Sequence, residues 1–335
     1  MASKIGTCLL LKSPIYSLLV HECLGLIRWR IVIHGFIDGY SRLVTGLRAS
    51  NNNRSTTVLD VFLCAAQRYN VPSRVRGDHG TENLLVAEYM ERTKGVNRGS
   101  YIWGRCVLLS DLPYCSNSAD LRSVHNVRIE RLWLNVTQSF GAKWYDFFNK
   151  LEFRFGLDIN CENHIWLLHL LFLPSINRDV ALFVETWNNH RIQIRHGTGR
   201  SPIDMYGFDM LAHGLRGDLY VDPGDVDMLL PDDIETFGVD WAGLHDAEIR
   251  RSHQANNPIS EGTTTWRGRS GPPDPEMLSN VDVDPPIGIL GEAEVELLRQ
   301  LVSPTMGLFD EETLIQRWRQ GLAFAMAVHP DFSPL

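Results

Sequence analysis

The sequence has little that would stabilise it from outside a hydrophobic core. Of its 335 residues only six are cysteine, at 8, 23, 64, 106, 115 and 161, with no Cys-x-x-Cys pair among them. Neither a disulfide framework nor a zinc ribbon is indicated, and a reducing compartment is the simpler reading. The chain also lacks uninterrupted apolar runs of membrane length. Residues 8–11 are followed at once by Lys12, Ser13 and Pro14, and the run 165–173 contains His169 and ends at Pro174. About 18 consecutive apolar residues would be needed to span a bilayer, so a soluble protein with no membrane partner is expected. There is no internal repeat.

No overall basic surplus is present either, since the net charge is −8. That total hides an asymmetry. Residues 1–215 carry 24 Lys+Arg against 18 Asp+Glu, net +6, whereas residues 216–335 carry 8 against 22, net −14. The first part is able to attract a polyanion and the second repels one, although a surplus of six also suits an ordinary solvated surface.

What is present reads as globular, with 44% hydrophobic and 21% charged residues. The segment 29–37, rich in β-branched and aromatic residues, predicts a strand. Asp38-Gly39 predicts a turn, and 41–48 the antiparallel partner. Ser55 or Thr56 is placed to cap a helix running to Tyr69, which Asn70-Val71-Pro72 ends. Residues 73–76 predict a short strand that delivers Asp78 at its carboxyl end, where α/β folds place chemistry. Helices are predicted over 84–92, 123–151, 163–173 and 179–190, the last two separated near Pro174.

After Ser201-Pro202 the character changes. Proline- and glycine-rich turns interrupt any long element, and 250–285 reads as a linker. Short helices are predicted over 292–301 and 311–328, the second capped by Asp310.

Two carboxylates stand out by context: Asp78 in Arg76-Gly77-Asp78-His79-Gly80-Thr81-Glu82-Asn83, and Glu130 in Arg128-Ile129-Glu130-Arg131-Leu132-Trp133. Magnesium takes a few hard carboxylate oxygens and keeps its other octahedral positions for water and phosphate. One acid at a strand end and one on a helix suits that demand, although by composition alone an acid is more often at the surface than a ligand.

These segments resemble successive blocks of a known family. Ile33-His34-Gly35-Phe36-Ile37-Asp38-Gly39-Tyr40-Ser41-Arg42, then Gly77-Asp78-His79-Gly80-Thr81-Glu82-Asn83, then Asn126-Val127-Arg128-Ile129-Glu130-Arg131-Leu132-Trp133 look like the integrase core domain. They look most like the integrase-core-like proteins of mushroom-forming fungi. The resemblance covers roughly residues 26–215, and Trp187-Asn188-Asn189-His190 with Arg200-Ser201-Pro202 resembles the end of such a core.

The resemblance implies an α/β ribonuclease-H-like mixed sheet flanked by helices, here with an irregular acidic C-terminal tail over 216–335. It also implies an Asp-Asp-Glu site for DNA strand transfer with Mg²⁺ or Mn²⁺, DNA as partner, a homo-oligomer and a nuclear location. Asp78 and Glu130 match the last two acids. Between them lie 51 residues, and residues 106–122, 17 in number, have no counterpart in the pattern. Removing them leaves 34, the spacing that the family pattern calls for, so 106–122 reads as an insertion, such as a retained intron.

The first acid belongs on the strand before 31–37. Its expected place is near Val20 to Glu22, where the chain reads Val20-His21-Glu22-Cys23. Glu22 or Asp38 is the candidate first carboxylate, with Asp38 resembling a non-catalytic Asp-x-x-Ser-Arg block. The stretch 1–25 reads as a mis-joined beginning, and the site as damaged. Arg74, Arg76, Arg128 and Arg131 flank the two acids and are candidate nucleic-acid contacts, or else balance the neighbouring carboxylates. Cys161, His164 and His169, and the tryptophans 103, 133, 144, 166 and 187, are read as core or capping groups before ligands or base-stacking platforms.

Overall fold

The computed structural model describes residues 15–21, 26–77, 80–95, 100–103, 127–192, 199–213 and 283–332, with backbone alone at 15–21, 127–131, 213 and 331. Five strands form one sheet: β1 (Ile15–His21), β2 (Val32–Asp38), β3 (Val44–Ser50), β4 (Arg74–Gly77) and β5 (Tyr101–Trp103), in the order β3-β2-β1-β4-β5. The first three pair antiparallel, while β4 runs parallel to both β1 and β5. Residues 15–21, inside the stretch read as mis-joined, thus supply the central strand.

β2 is buried along its whole length because both of its faces are apolar. Ile33 and Ile37 point to one core cluster, and Val32 and Phe36 to another, as the two-residue period of a strand requires. The expected strand 29–37 starts later than predicted. Leu26–Trp29 is a 3₁₀ turn, and Arg30, at φ 55°, turns the chain so that Ile31 N–H reaches Leu26 O at 3.2 Å. β5 is only three residues long, too short to show a period.

On one face lie α1 (Ser55–Tyr69) and α2 (Leu84–Lys94). Ser55 and Thr56 do not cap α1. The helix starts without a side-chain cap, and the Asn52 carboxamide oxygen holds the approach to it, accepting from Thr57 Oγ1 at 2.6 Å and Arg54 N–H at 3.1 Å. On the other face lie α3 (Val127–Val136), a π turn at Thr137–Gly141, α4 (Ala142–Arg154) and α5 (Glu162–Asn189). The single helix predicted over 123–151 is therefore interrupted by a π turn, where Thr137 Oγ1 donates to Trp133 O at 2.9 Å. α6 (Pro202–His213) follows.

Pro174 does not separate two helices as predicted. It sits inside the 28-residue α5, whose burial on several sides outweighs one missing backbone hydrogen bond. α5 is long and apolar enough to cross a membrane, but here it is a core helix packed along β3. Two of its asparagines complete the outer edge of that strand. Asn188 accepts from Val44 N–H at 2.8 Å and donates to Val44 O at 3.0 Å. Asn177 does the same to Ala49, at 3.0 and 2.9 Å.

Over its described part, the tail expected to be irregular has an extended stretch from Val283 followed by the two helices predicted for it, and it is packed into the core. Val283 O accepts from Asn53 N–H at 3.2 Å, and the extended stretch beyond it leads to α7 (Glu292–Val302) and α8 (Glu311–Val328). Asp310 caps α8 as expected, accepting from Thr313 N–H at 2.9 Å. Leu298, Trp318, Ala325 and Phe332 are fully buried in the α5 cluster. Most of the expected linker 250–285, and the whole of 106–122, lie outside the described residues.

Candidate active site

Register fixes the frame of the site. In the parallel pair of β1 and β4, Tyr16 stands beside Val75 and Ser17 beside Arg76, so the carboxyl end of β4 opens next to the middle of β1. Here the chain order reverses direction across the sheet, the position where open α/β sheets build their sites. Asp78 follows Gly77 at that end and lies outside the described residues, as does Glu22.

α3 crosses the same part of the sheet, packing against β1 and β2. It is seated by Trp133, fully buried, at a spot where β2 has only hydrogen for a side chain. A β-carbon at Gly35 would come within 2.9 Å of the indole and of Leu47. Gly35 in turn stands opposite Leu19 of β1. Glu130 lies three residues before Trp133 and shares its face of the helix, one turn away, although only its backbone is described.

Asp38, one of the two candidates for the first acid, stands elsewhere. It ends β2 and pairs with Tyr16 near the amino end of β1. Its carboxylate is buried and holds the β2–β3 turn, accepting from Ser41 N–H at 2.7 Å and Ser41 Oγ at 2.6 Å. Val20 and His21 close β1, pairing with His34 and Ile33, so the described end of that strand carries no carboxylate.

The arginines divide. Arg74 and Arg76 are 1% and 2% exposed on β4, which removes them from the surface offered to a phosphate. A central strand covered on both faces leaves its side chains nowhere else to go. Arg128 and Arg131 belong to the first turns of α3, where only backbone is described.

Three groups escaped the sequence reading. Glu82, 6% exposed, and Asn83, fully buried, follow Asp78 within five residues, and Tyr101 closes in from β5. A β-carbon on Gly77 would collide with the Tyr101 hydroxyl, and one on Gly80 with the Glu82 carboxylate. The signal was Gly77-Asp78-His79-Gly80 itself, since glycines on either side of an acid announce close approach.

The histidines are structural, as expected. His164 Nδ1 accepts from Asp158 N–H at 3.0 Å, so Nε2 donates, to Phe332 O at 2.9 Å. His169 Nε2 donates to Trp29 O at 2.7 Å, and burial pushes its pKa down to about 4. Among the described residues no three His, Cys, Asp or Glu side chains are grouped to hold a metal.

This strand order and mixed sheet, helices on both faces, define a ribonuclease-H-like α/β fold. The family model described as integrase core domain matches residues 19–111 and 116–217, and the chain belongs to that family. Among solved structures, the HTLV-2 integrase catalytic core domain in complex with magnesium (trimeric form) is similar at 12% identity and a TM-score of 0.32. That similarity covers 57% of this chain and 95% of that one. No curated protein matches.

The metal that the family implies fits this frame only in part. Asp78 and Glu130 are hard-oxygen donors of the kind magnesium takes, but Val20 and His21 at the end of β1 offer none.

Proposed function

We propose that this chain is a transposon-derived integrase/transposase-like polynucleotidyl transferase core that acts on DNA, with its strand-transfer activity impaired. One observation carries the reading. The family model matches residues 19–111 and 116–217, and in the fold β4 pairs with β1 while α3 packs on β1 and β2, with β1 itself closing on Val20 and His21. Asp78 and Glu130 are the ligands for Mg²⁺ or Mn²⁺, and Glu22 is the remaining candidate for the first position. Two carboxylates hold divalent ions poorly against hydration, and groups that act as a unit lose most of their effect when one goes. DNA is the partner through phosphate contacts that do not need the metal, with Arg128 and Arg131 as candidate contacts. A homo-oligomer and a nuclear location go with this role.

A second reading, a DNA-binding or interaction protein that keeps the fold without the chemistry, is favoured by the same strand end, where the described residues Val20 and His21 carry no carboxylate. The test compares the unmodified chain, Asp78→Asn, and a version carrying His21→Asp or Glu22→Asp and lacking residues 106–122. All are assayed for Mg²⁺-dependent nicking and joining of DNA. The expected result is DNA binding by all three and turnover by the repaired version alone. Robust turnover by the unmodified chain, lost in Asp78→Asn, would overturn the impairment. A repaired version that binds DNA but never cuts it favours the second reading.

A further inference from the structure

We propose that the cavity between α5 and α7 binds a small, neutral, apolar molecule carrying one N–H or O–H donor, a site independent of the function proposed above. The cavity holds about 590 Å³, a size that suits an organic ligand. Trp166, Leu170 and Pro174 of α5 line one side, and Leu298 and Val302 of α7 line the other together with Met306. A β-carbon at Gly288 would fall on the Trp166 indole, so the extended stretch before α7 holds that ring in place.

Polar groups reach this cavity at few points. Arg299 and Ser303 are exposed at its rim, and the Asn177 carboxamide is committed to Ala49. His169 differs from these. It is 5% exposed and lines the cavity, and its Nε2 donates to Trp29 O at 2.7 Å. A carbonyl only accepts, so the one proton of the neutral ring sits on Nε2 and leaves Nδ1 an acceptor. That Nδ1 is buried and has no hydrogen-bond partner among the described residues. Burial pushes the ring's pKa down to about 4, so Nδ1 does not take a proton at neutral pH.

The next residue along the helix adds a second acceptor. Pro174 has no N–H, so Leu170 O lacks the donor that a helix supplies from four residues on, and both residues line the cavity. A buried acceptor left unsatisfied is costly, and the adjoining space has room for a molecule that would satisfy it. The lining sets the chemistry of that molecule. Apolar walls favour an aromatic or aliphatic body, an acceptor calls for a donor, and a buried neutral site disfavours an ion.

Indole and 1-methylindole serve as probes, since they share a ring system and only the first carries an N–H. The full chain is titrated with each, with binding read from the Met306 methyl resonance and the acceptor from the nitrogen-15 resonance of His169 Nδ1. Indole should bind with a Kd on the order of 1 mM and about five-fold more tightly than 1-methylindole, with Nδ1 shifting for indole alone. His169→Phe should abolish that preference. Ser303→Trp, at an exposed position on the rim, should lose both probes while keeping the wild-type unfolding midpoint.

Equal affinity of the wild-type chain for the two probes overturns the proposal, as does indole that leaves Met306 and His169 Nδ1 unmoved. An indole preference that persists in folded His169→Phe also overturns it. If that variant fails to fold, Ser303→Trp decides, because undiminished indole binding there places the ligand elsewhere.

Discussion

The two helical layers on this sheet are held to it by different means. The α5 layer is fastened by polar contacts between residues far apart in sequence: Asn188 to Val44, Asn177 to Ala49, His169 to Trp29, Trp187 to Arg42, and Trp318 to Phe155. Arg317, fully buried, adds bonds to Ser175 Oγ at 2.9 Å and to the Thr305 and Leu308 carbonyls. The α1–α2 layer packs apolar side chains around Phe36, Phe62 and Met90, with Tyr206 O–H donating to Tyr69 O at 2.8 Å. The candidate site leaves the sheet through the loop that enters α2. Directional bonds select one arrangement and punish slippage, whereas apolar contact tolerates small shifts. The expectation is that stability is concentrated on the layer away from that loop, the layer that carries this set of long-range directional bonds.

The sharpest way to break this comparison is to damage the fastened layer and watch the loop. Trp318 is fully buried, stands edge-on to His164 at 6.1 Å between ring centroids, and donates from Nε1 to Phe155 O at 2.8 Å. Trp318→Ala should cost about 4 kcal/mol, as for other large-to-small changes in a core, measured by denaturant unfolding. Amide hydrogen exchange in residues 77–83 should stay at the wild-type rate under native conditions. If it rises together with global unfolding, the layers are not independent.

Each layer also buries a neutral histidine, and acid acts on both. Burial, the largest cause, pushes both His34 and His169 down to about 4, with Arg48 and Arg30 adding to the effect and the bonds to Asn52 O and Trp29 O opposing it. The native pKa lies below the unfolded value of 6.5, so the native state binds fewer protons. Stability is then complete above about pH 6.5 and is lost as pH falls toward 4, by up to about 3 kcal/mol for each ring. His169→Gln should remove close to half of that acid sensitivity between pH 7 and 4.5. An undiminished slope in the variant would mean that other groups carry it.

Much of this architecture was legible because local signals and burial agreed. The β-branched and aromatic run around Ile33 and Phe36, the Asp38-Gly39 turn, Asn70-Val71-Pro72 and the Asp310 cap each specify their element without help. The rest depended on distant partners. Pro174 reads as a break until α8 and β3 bury the helix around it. The helices predicted over 292–301 and 311–328 are present, but the acidic composition of 216–335 hid that their leucines and Trp318 complete the α5 cluster. β5 is visible only through its pairing with β4. Of the site, the motif around Asp78 was legible, whereas the burial of Arg74 and Arg76 was not, because charge suggests surface and only strand order places them inside.

The smallest expected effect concerns the edge of the sheet. β3 has β2 on one side only, and its free side would present unpaired backbone groups to another chain. Asn188 occupies that side at Val44, and Asn177 at Ala49, so the helix stands in for a sixth strand at two points. Asn188 is 5% exposed, so Asn188→Ala leaves a donor and an acceptor unsatisfied in a place that water reaches poorly. The cost should be about 2 kcal/mol, less than for Trp318 because little apolar area is lost. Asn177→Ala should cost less again, since that side chain is only partly buried and water can replace it. The pair is read by unfolding midpoint and by sedimentation at rising concentration, where an opened edge appears as self-association in Asn188→Ala first. Equal costs at the two positions, with no change in association, would mean that apolar packing alone holds α5 on β3. In that case the two layers are fastened alike.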